Sequence, residues 1–139
     1  MQVVREVEKS PEMKTDAIAM RIFLKSLDLI GGPRKLFDYR NLTWLPSLME
    51  AAYIMALFQF MNKTSQQIAE ELGLSSQTVR NVLNANVEEV QKRLERPEEI
   101  EEGTRTHIAG GLAKMAAEAI RRGDSSVEFL PELEKLEID

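Results

Sequence analysis

The chain has 139 residues, of which 43% are apolar and 29% charged, with a net charge of −5 and no cysteine. That length suits one domain, and the composition suits a soluble, mainly helical protein with a real core. Without cysteine there is no disulfide framework, no thiolate metal site and no cysteine nucleophile, which fits a cytoplasmic protein.

The first ten residues, "MQVVREVEKS", mix Arg5, Glu6, Glu8 and Lys9 with apolar residues. They read as a short strand or arm and not as a signal peptide, which needs a long apolar stretch. Ser10-Pro11 looks like a helix entry. From Lys14 to Ile30, apolar residues recur at helical spacing, at Ile18, Ile22 and Leu27 among others. Gly31-Gly32-Pro33 ends that helix.

"RKLFDYRNLTW" carries four charges and three aromatics and reads as a short helix or ordered loop. Thr43 is placed to cap the next helix, with Pro46 in its first turn. That helix, about 45–61, is apolar on nearly every side, as expected in the middle of a bundle or at a subunit interface. Its apolar run "AAYIMALFQFM" is shorter than the roughly 20 residues a membrane span requires.

The next stretch is "TSQQIAEELGLSSQTVRNVL", Thr64 to Leu83. Thr64 or Ser65 supplies an N-cap oxygen. Ile68 and Leu72 form an inward stripe, and Ala69 is small where a second helix must cross closely. Gly73 falls where the chain turns sharply, since a residue without Cβ is easiest there. Leu74 plugs the corner, and Ser75 or Ser76 caps a second helix whose buried face is Val79, Val82 and Leu83. The other face is then Ser76, Gln77, Arg80, Asn81 and Asn84, side chains that suit base edges and phosphates.

"IAEELGLSSQTV" resembles the helix-turn-helix of bacterial and archaeal transcription regulators. The matching positions are Ile68, Ala69, Leu72, Gly73, Leu74, Val79 and Val82, without a gap. The resemblance covers about twenty residues. More loosely, the layout resembles small archaeal predicted regulators, with "THIAGGLAKM" in a later helix. It implies that the second motif helix enters a DNA major groove. Ser76, Gln77, Arg80, Asn81 and Asn84 would then contact bases or phosphates. Lys63, Thr64, Ser65 and Gln66 would contact the backbone.

After the motif, "NVEE" from Asn86 to Glu89 reads as a capping box; the stripe Val79, Leu83, Val87, Val90 and Leu94 also allows one continuous helix to about Leu94, and a break near Asn84 to Asn86 is the preferred reading. A winged variant needs a strand hairpin here, so no wing is expected. Pro97 and "EEIEEG" form an acidic connector. A last long helix starts at Thr104 or Thr106 and ends at Gly123 after Arg121 and Arg122. The tail, 124–139, is acidic but holds Phe129, Leu130, Leu133, Leu136 and Ile138, which should dock it. The expectation is an all-α, multi-helix bundle forming a single helical domain over 1–139, with a helix-turn-helix at 64–84.

Charge is the main objection to a DNA reader. Residues 88–102 and 124–139 together hold thirteen acids and four bases, so the rest of the chain is +4. The motif itself pairs Lys63 and Arg80 with Glu70 and Glu71 and is neutral. Phosphate neutralisation supplies most DNA affinity, so a homodimer with two recognition helices is expected, with the helix at 45–61 and its neighbours as core and interface. Arg34, Lys35 and Arg40, or Arg105, Lys114, Arg121 and Arg122, could add phosphate contacts. In a different class, the motif is only scaffold in a protein–protein adaptor.

Other features point to less. His107 is the only histidine and reads as a capping or surface residue. With one His and no Cys, no metal site or cofactor is expected. The small-residue run Ala109, Gly110, Gly111, Ala113, Ala116 and Ala117 reads as a close helix–helix contact. A ligand phosphate at that helix start, and hence an unknown small-molecule effector, is the sharper alternative. Met49, Met55, Met61 and Met115 read as core packing. No paired carboxylates or Ser–His pair stands out, so an enzyme is not expected.

Overall fold

A computed structural model describes residues 10–38, 45–96 and 105–136, apart from the side chains of 105, 106 and 133. The expectations for residues 1–9, Arg40, Thr43, the acidic connector and Thr104, and for the side chains of Arg105 and Leu133, fall outside what is described. All regular structure among the described residues is helical, and none of the helices is long and apolar enough to cross a membrane.

Helix α1 spans Pro11–Leu29. It starts three residues before the apolar period does, because Ser10 caps it. The Ser10 hydroxyl accepts from the Met13 N–H at 3.2 Å, with Pro11 at the first position. Its buried row is Thr15, Ala19, Ile22 and Ser26, spaced for one face of a helix. Gly31 and Gly32 end it at φ 107° and 99°. A 3-10 turn, Pro33–Asp38, follows.

Helix α2 is Leu45–Met55 and runs into one π-helical turn, Ala56–Phe60. The expected regular helix to residue 61 is therefore wound differently at its end. The Met61 N–H donates to the Ala56 carbonyl at 3.1 Å, and the Lys63 N–H to the Leu57 carbonyl at 2.9 Å. Asn62 takes φ 56° between them, a left-handed conformation that Asn tolerates better than most residues. Apolar spacing carries no signal for such a turn.

The all-round apolar character of α2 is explained within one chain. Leu48, Ala51, Ala52, Ile54, Met55, Ala56 and Leu57 are all buried, and α2 packs on α1 and α6. Only Phe58 among its large apolar side chains is exposed. The helix thus belongs to the core, and a second chain would find little of it to cover. Each fully buried Leu or Ile side chain contributes roughly 1.5–3 kcal/mol, so this helix is the largest single block of the core.

Three short helices follow, α3 (Ser65–Leu72), α4 (Ser76–Leu83) and α5 (Val87–Leu94). The expected break lies between α4 and α5. The Asn86 side chain accepts from the Glu89 N–H at 2.9 Å. The expected return half of that capping box is replaced: the Glu89 carboxylate accepts from Arg93 one turn later, at 3.1 Å.

Helix α6, Arg105–Arg121, is the second core element, packed on α1, α2, α4 and α5. Its glycines are explained by contact. A Cβ at Gly111 would lie 2.4 Å from Val90 Cγ2. One at Gly110 would lie 3.4 Å from the Val82 Cα. Close approach of Val82 and Val90 accounts for the two glycines that cost helix propensity here.

The C-terminal segment docks as expected, with the Leu133 side chain and Ile138 outside the described residues. Val127 is buried and Phe129 half-buried, whereas Leu136 is 61% exposed. A short helix α7, Leu130–Lys135, closes the described chain. Polar contacts add to the docking. Lys25, only 2% exposed, donates from Nζ to Ser126 O at 2.8 Å, Asp124 Oδ1 at 3.1 Å and Asp28 Oδ2 at 3.5 Å. The Glu128 N–H donates to Asp28 Oδ1 at 2.9 Å.

Candidate nucleic-acid interface

The α3–α4 pair is built by cues within twenty residues. The Thr64 hydroxyl accepts from the Gln67 N–H at 3.1 Å, and Gln67 Oε1 accepts from the Thr64 N–H at 2.9 Å. This is a closed capping box, with two of the helix's unpaired donors satisfied. At the other end Gly73 is left-handed, φ 69°, and its N–H donates to Ala69 O. The Leu74 N–H reaches the same carbonyl at 2.9 Å. Ser75 then caps α4, accepting from the Thr78 N–H at 3.0 Å and sharing a 2.8 Å hydroxyl contact with Thr78.

Packing fixes the pair against the bundle. Ile68 and Val79 are fully buried, and Ala69 and Val82 nearly so. Leu72, Leu74 and Leu83 pack half-buried against the same core. The far end of α4 is tied down by a residue that the sequence placed elsewhere. Lys114 Nζ, on α6, donates to the Leu83 carbonyl at 2.9 Å and the Ala85 carbonyl at 3.5 Å. It satisfies carbonyls that a helix end leaves unpaired, and its charge suits the negative end of the dipole. It is therefore engaged, and not a free phosphate contact. Nothing within the motif points to it, since Lys114 lies 31 residues from Leu83 along the chain.

The polar residues of α4 lie where the spacing placed them, with one exception. Gln77, Arg80, Asn81 and Asn84 are exposed, while Ser76 is half-buried at the first position of the helix. The three central side chains bond to one another. Arg80 Nη2 donates to Gln77 Oε1 at 3.1 Å, and Gln77 Nε2 donates to Asn81 Oδ1 at 2.7 Å.

At the start of α3, Gln66 is exposed, and Lys63 and Ser65 are half-buried. Thr64 is exposed, but its hydroxyl is engaged in the cap. Glu70 and Glu71 are exposed as well, so the surface around the motif is not uniformly basic.

The remaining sequence candidates lie apart from this face or are paired. Arg34 is exposed, Lys35 lies 3.9 Å from Asp38, and Arg121 and Arg122 sit at the end of α6. His107 Nε2 is 3.8 Å from Glu89 Oε2, at the α5–α6 crossing. Among the described residues, no group of three or more His, Asp or Glu is placed to hold a metal ion.

Two titrations are displaced elsewhere. Tyr53 is raised, first by donating its hydroxyl to Asp16 at 2.7 Å and then by burial and the nearby negative charge. Asp124 is held below the usual carboxylate range, first by the Ser126 hydroxyl and then by Lys25.

No protein-family profile matches the chain, and neither a curated protein nor a solved structure matches it.

Proposed function

We propose that the protein is a sequence-specific DNA-binding regulator of transcription that lays α4 in the major groove of double-stranded DNA. One observation carries this reading. α4 is mounted rigidly by its buried side, by Ser75 at one end and Lys114 at the other. Its outer side carries Gln77, Arg80, Asn81 and Asn84, all exposed, the first three bonded to one another. A short helix held this way after a tight turn, with that set of side chains outward, matches the requirements for reading base edges. Lys63, Ser65 and Gln66 supply backbone contacts beside it, with the Ser76 hydroxyl at the start of α4.

The protein acts as a homodimer in this reading, in the cytoplasm. A single motif without net positive charge holds DNA weakly, and two copies about 34 Å apart on a two-fold site remedy that. An apolar surface is available on α1. Met13 and Met20 of α1 are 48% and 46% exposed, and Met13, Ala17 and Met61 border a groove of about 480 Å³.

The test is the double variant Arg80→Ala, Gln77→Ala. Sequence-specific DNA binding should be lost while the melting curve is unchanged. A second reading is favoured by the exposed Glu70 and Glu71: the α3–α4 pair as scaffold in a protein–protein adaptor. If the double variant binds DNA as the parent does, or neither binds, the adaptor reading replaces the first.

A further inference from the structure

We propose that α4 reads guanine through Arg80, with Gln77 and Asn81 holding the guanidinium in place and not themselves reading adenine. The inference rests on the DNA-binding reading above and specifies which base it recognises.

The argument starts from donors and acceptors. Arg carries five N–H donors and no acceptor. Its contact with Gln77 must therefore end on the amide oxygen, as it does at 3.1 Å. That choice turns the Gln77 amide so that its nitrogen faces Asn81, and the Asn81 group that meets it must be the oxygen, at 2.7 Å. One arginine thus sets the orientation of both amides. The chain of bonds runs one way along the helix face, from Arg80 through Gln77 to Asn81.

The consequence is a surface of donors. Reading adenine bidentately needs an amide oxygen for N6–H and an amide nitrogen for N7. Each amide oxygen has one of its two lone pairs engaged within the array. What remains outward is mainly N–H: the free hydrogens of Arg80, one on Gln77 and two on Asn81, against one lone pair on each amide oxygen. With one Nη2 hydrogen committed to Gln77, the guanidinium keeps a complete two-pronged edge, whichever hydrogen is used. Guanine is the base that offers two acceptors, N7 and O6, at that spacing in the major groove. The prior bond also restricts a flexible side chain before DNA arrives, which lowers the ordering cost of binding.

The array stands on a rigid mount. Arg80 directly follows the buried Val79, and the turn ahead of it is closed by the Ser75 cap. Gln77, Arg80 and Asn81 are exposed, so replacing them should leave the fold intact.

The experiment is selection of bound sequences from a pool of random duplexes by the full chain, followed by competition binding with Arg80→Ala and Gln77→Leu. The expected result is a guanine in each half-site that is preferred about tenfold or more over adenine. Arg80→Ala should abolish that preference at that position alone. Gln77→Leu, which keeps bulk but cannot hold the guanidinium, should weaken it. Replacing the selected guanine by 7-deazaguanine, which lacks the N7 acceptor, should weaken the parent and leave Arg80→Ala unaffected. A selected adenine that depends on Gln77 or Asn81, or a base preference that survives Arg80→Ala, would overturn this inference and leave the DNA reading standing. Failure of the folded chain to retain any duplex at low salt would overturn both.

Discussion

The corner between α3 and α4 and the junction between α1 and the C-terminal segment are both held by polar groups, and they use them in opposite ways. At the corner, every bond joins residues five or fewer apart: Thr64 with Gln67, Gly73 and Leu74 with Ala69, Ser75 with Thr78. At the junction, Lys25 reaches Asp124 and Ser126, 99 and 101 residues away. A corner built locally needs no charged residue, so the long polar side chains of α4 take no part in holding it. The junction engages a lysine and two aspartates in holding the fold.

The packing of α6 against the short helices is the place to break the fold hardest. Gly111→Ala should be the most damaging small change. Its new Cβ would meet Val90 at 2.4 Å, and both Val90 and α6 are core. Overpacking of this kind costs about 1–3 kcal/mol, read as a lower melting temperature. α5 should shift, and α4 much less, because Gly110 and not Gly111 faces Val82.

Lys25→Met tests the other side of the comparison. Volume is nearly kept, but the Ser126 carbonyl and Asp28 lose a buried donor, for about 1–3 kcal/mol. Asp124 adds little to that figure, since its side chain is 61% exposed. Protection of the Glu128 amide against hydrogen exchange should fall, while the α3–α4 amides keep theirs. The same junction should depend on pH on the acid side. The folded-state titration of Asp124 is depressed, so its contribution is complete above the ordinary value of 3.8 and is lost as pH falls through the lower folded one. Asp124→Asn should flatten that limb of a melting-temperature profile.

Gly73→Ala sharpens the comparison at the corner itself. Open space surrounds the position, so the only penalty is a left-handed backbone at φ 69°, about 1 kcal/mol. An Asn at that position should recover part of it. The smallest effect on stability belongs to Arg80→Ala with Gln77→Ala, within about 0.5 kcal/mol, although it should remove sequence-specific DNA binding.

The same contrast explains what could be read from the chain. The Ser10 and Thr64 caps, the Gly73 turn, the break before Asn86 and the buried faces of α3 and α4 follow from signals a few residues long. The glycines of α6 were legible as a close contact, but not that Val90 and Val82 fill it. Lys25 was missed because a lysine in a helix reads as surface. A hint was present, since it stands three residues after Ile22 on the buried side. Lys114 was misassigned for the same reason: the carbonyls it caps are about thirty residues distant. The π turn after α2 has no spacing signature at all. The outer face of α4 was legible as a set of residues, whereas its internal bonding depends on rotamers and needed coordinates.

The most direct measurement is binding of the full chain to random duplex DNA across a salt series, with the oligomeric state determined on the same sample. The account predicts a dimer whose affinity falls steeply with salt, in proportion to the phosphates neutralised. A folded dimer that binds no duplex at low salt would contradict it.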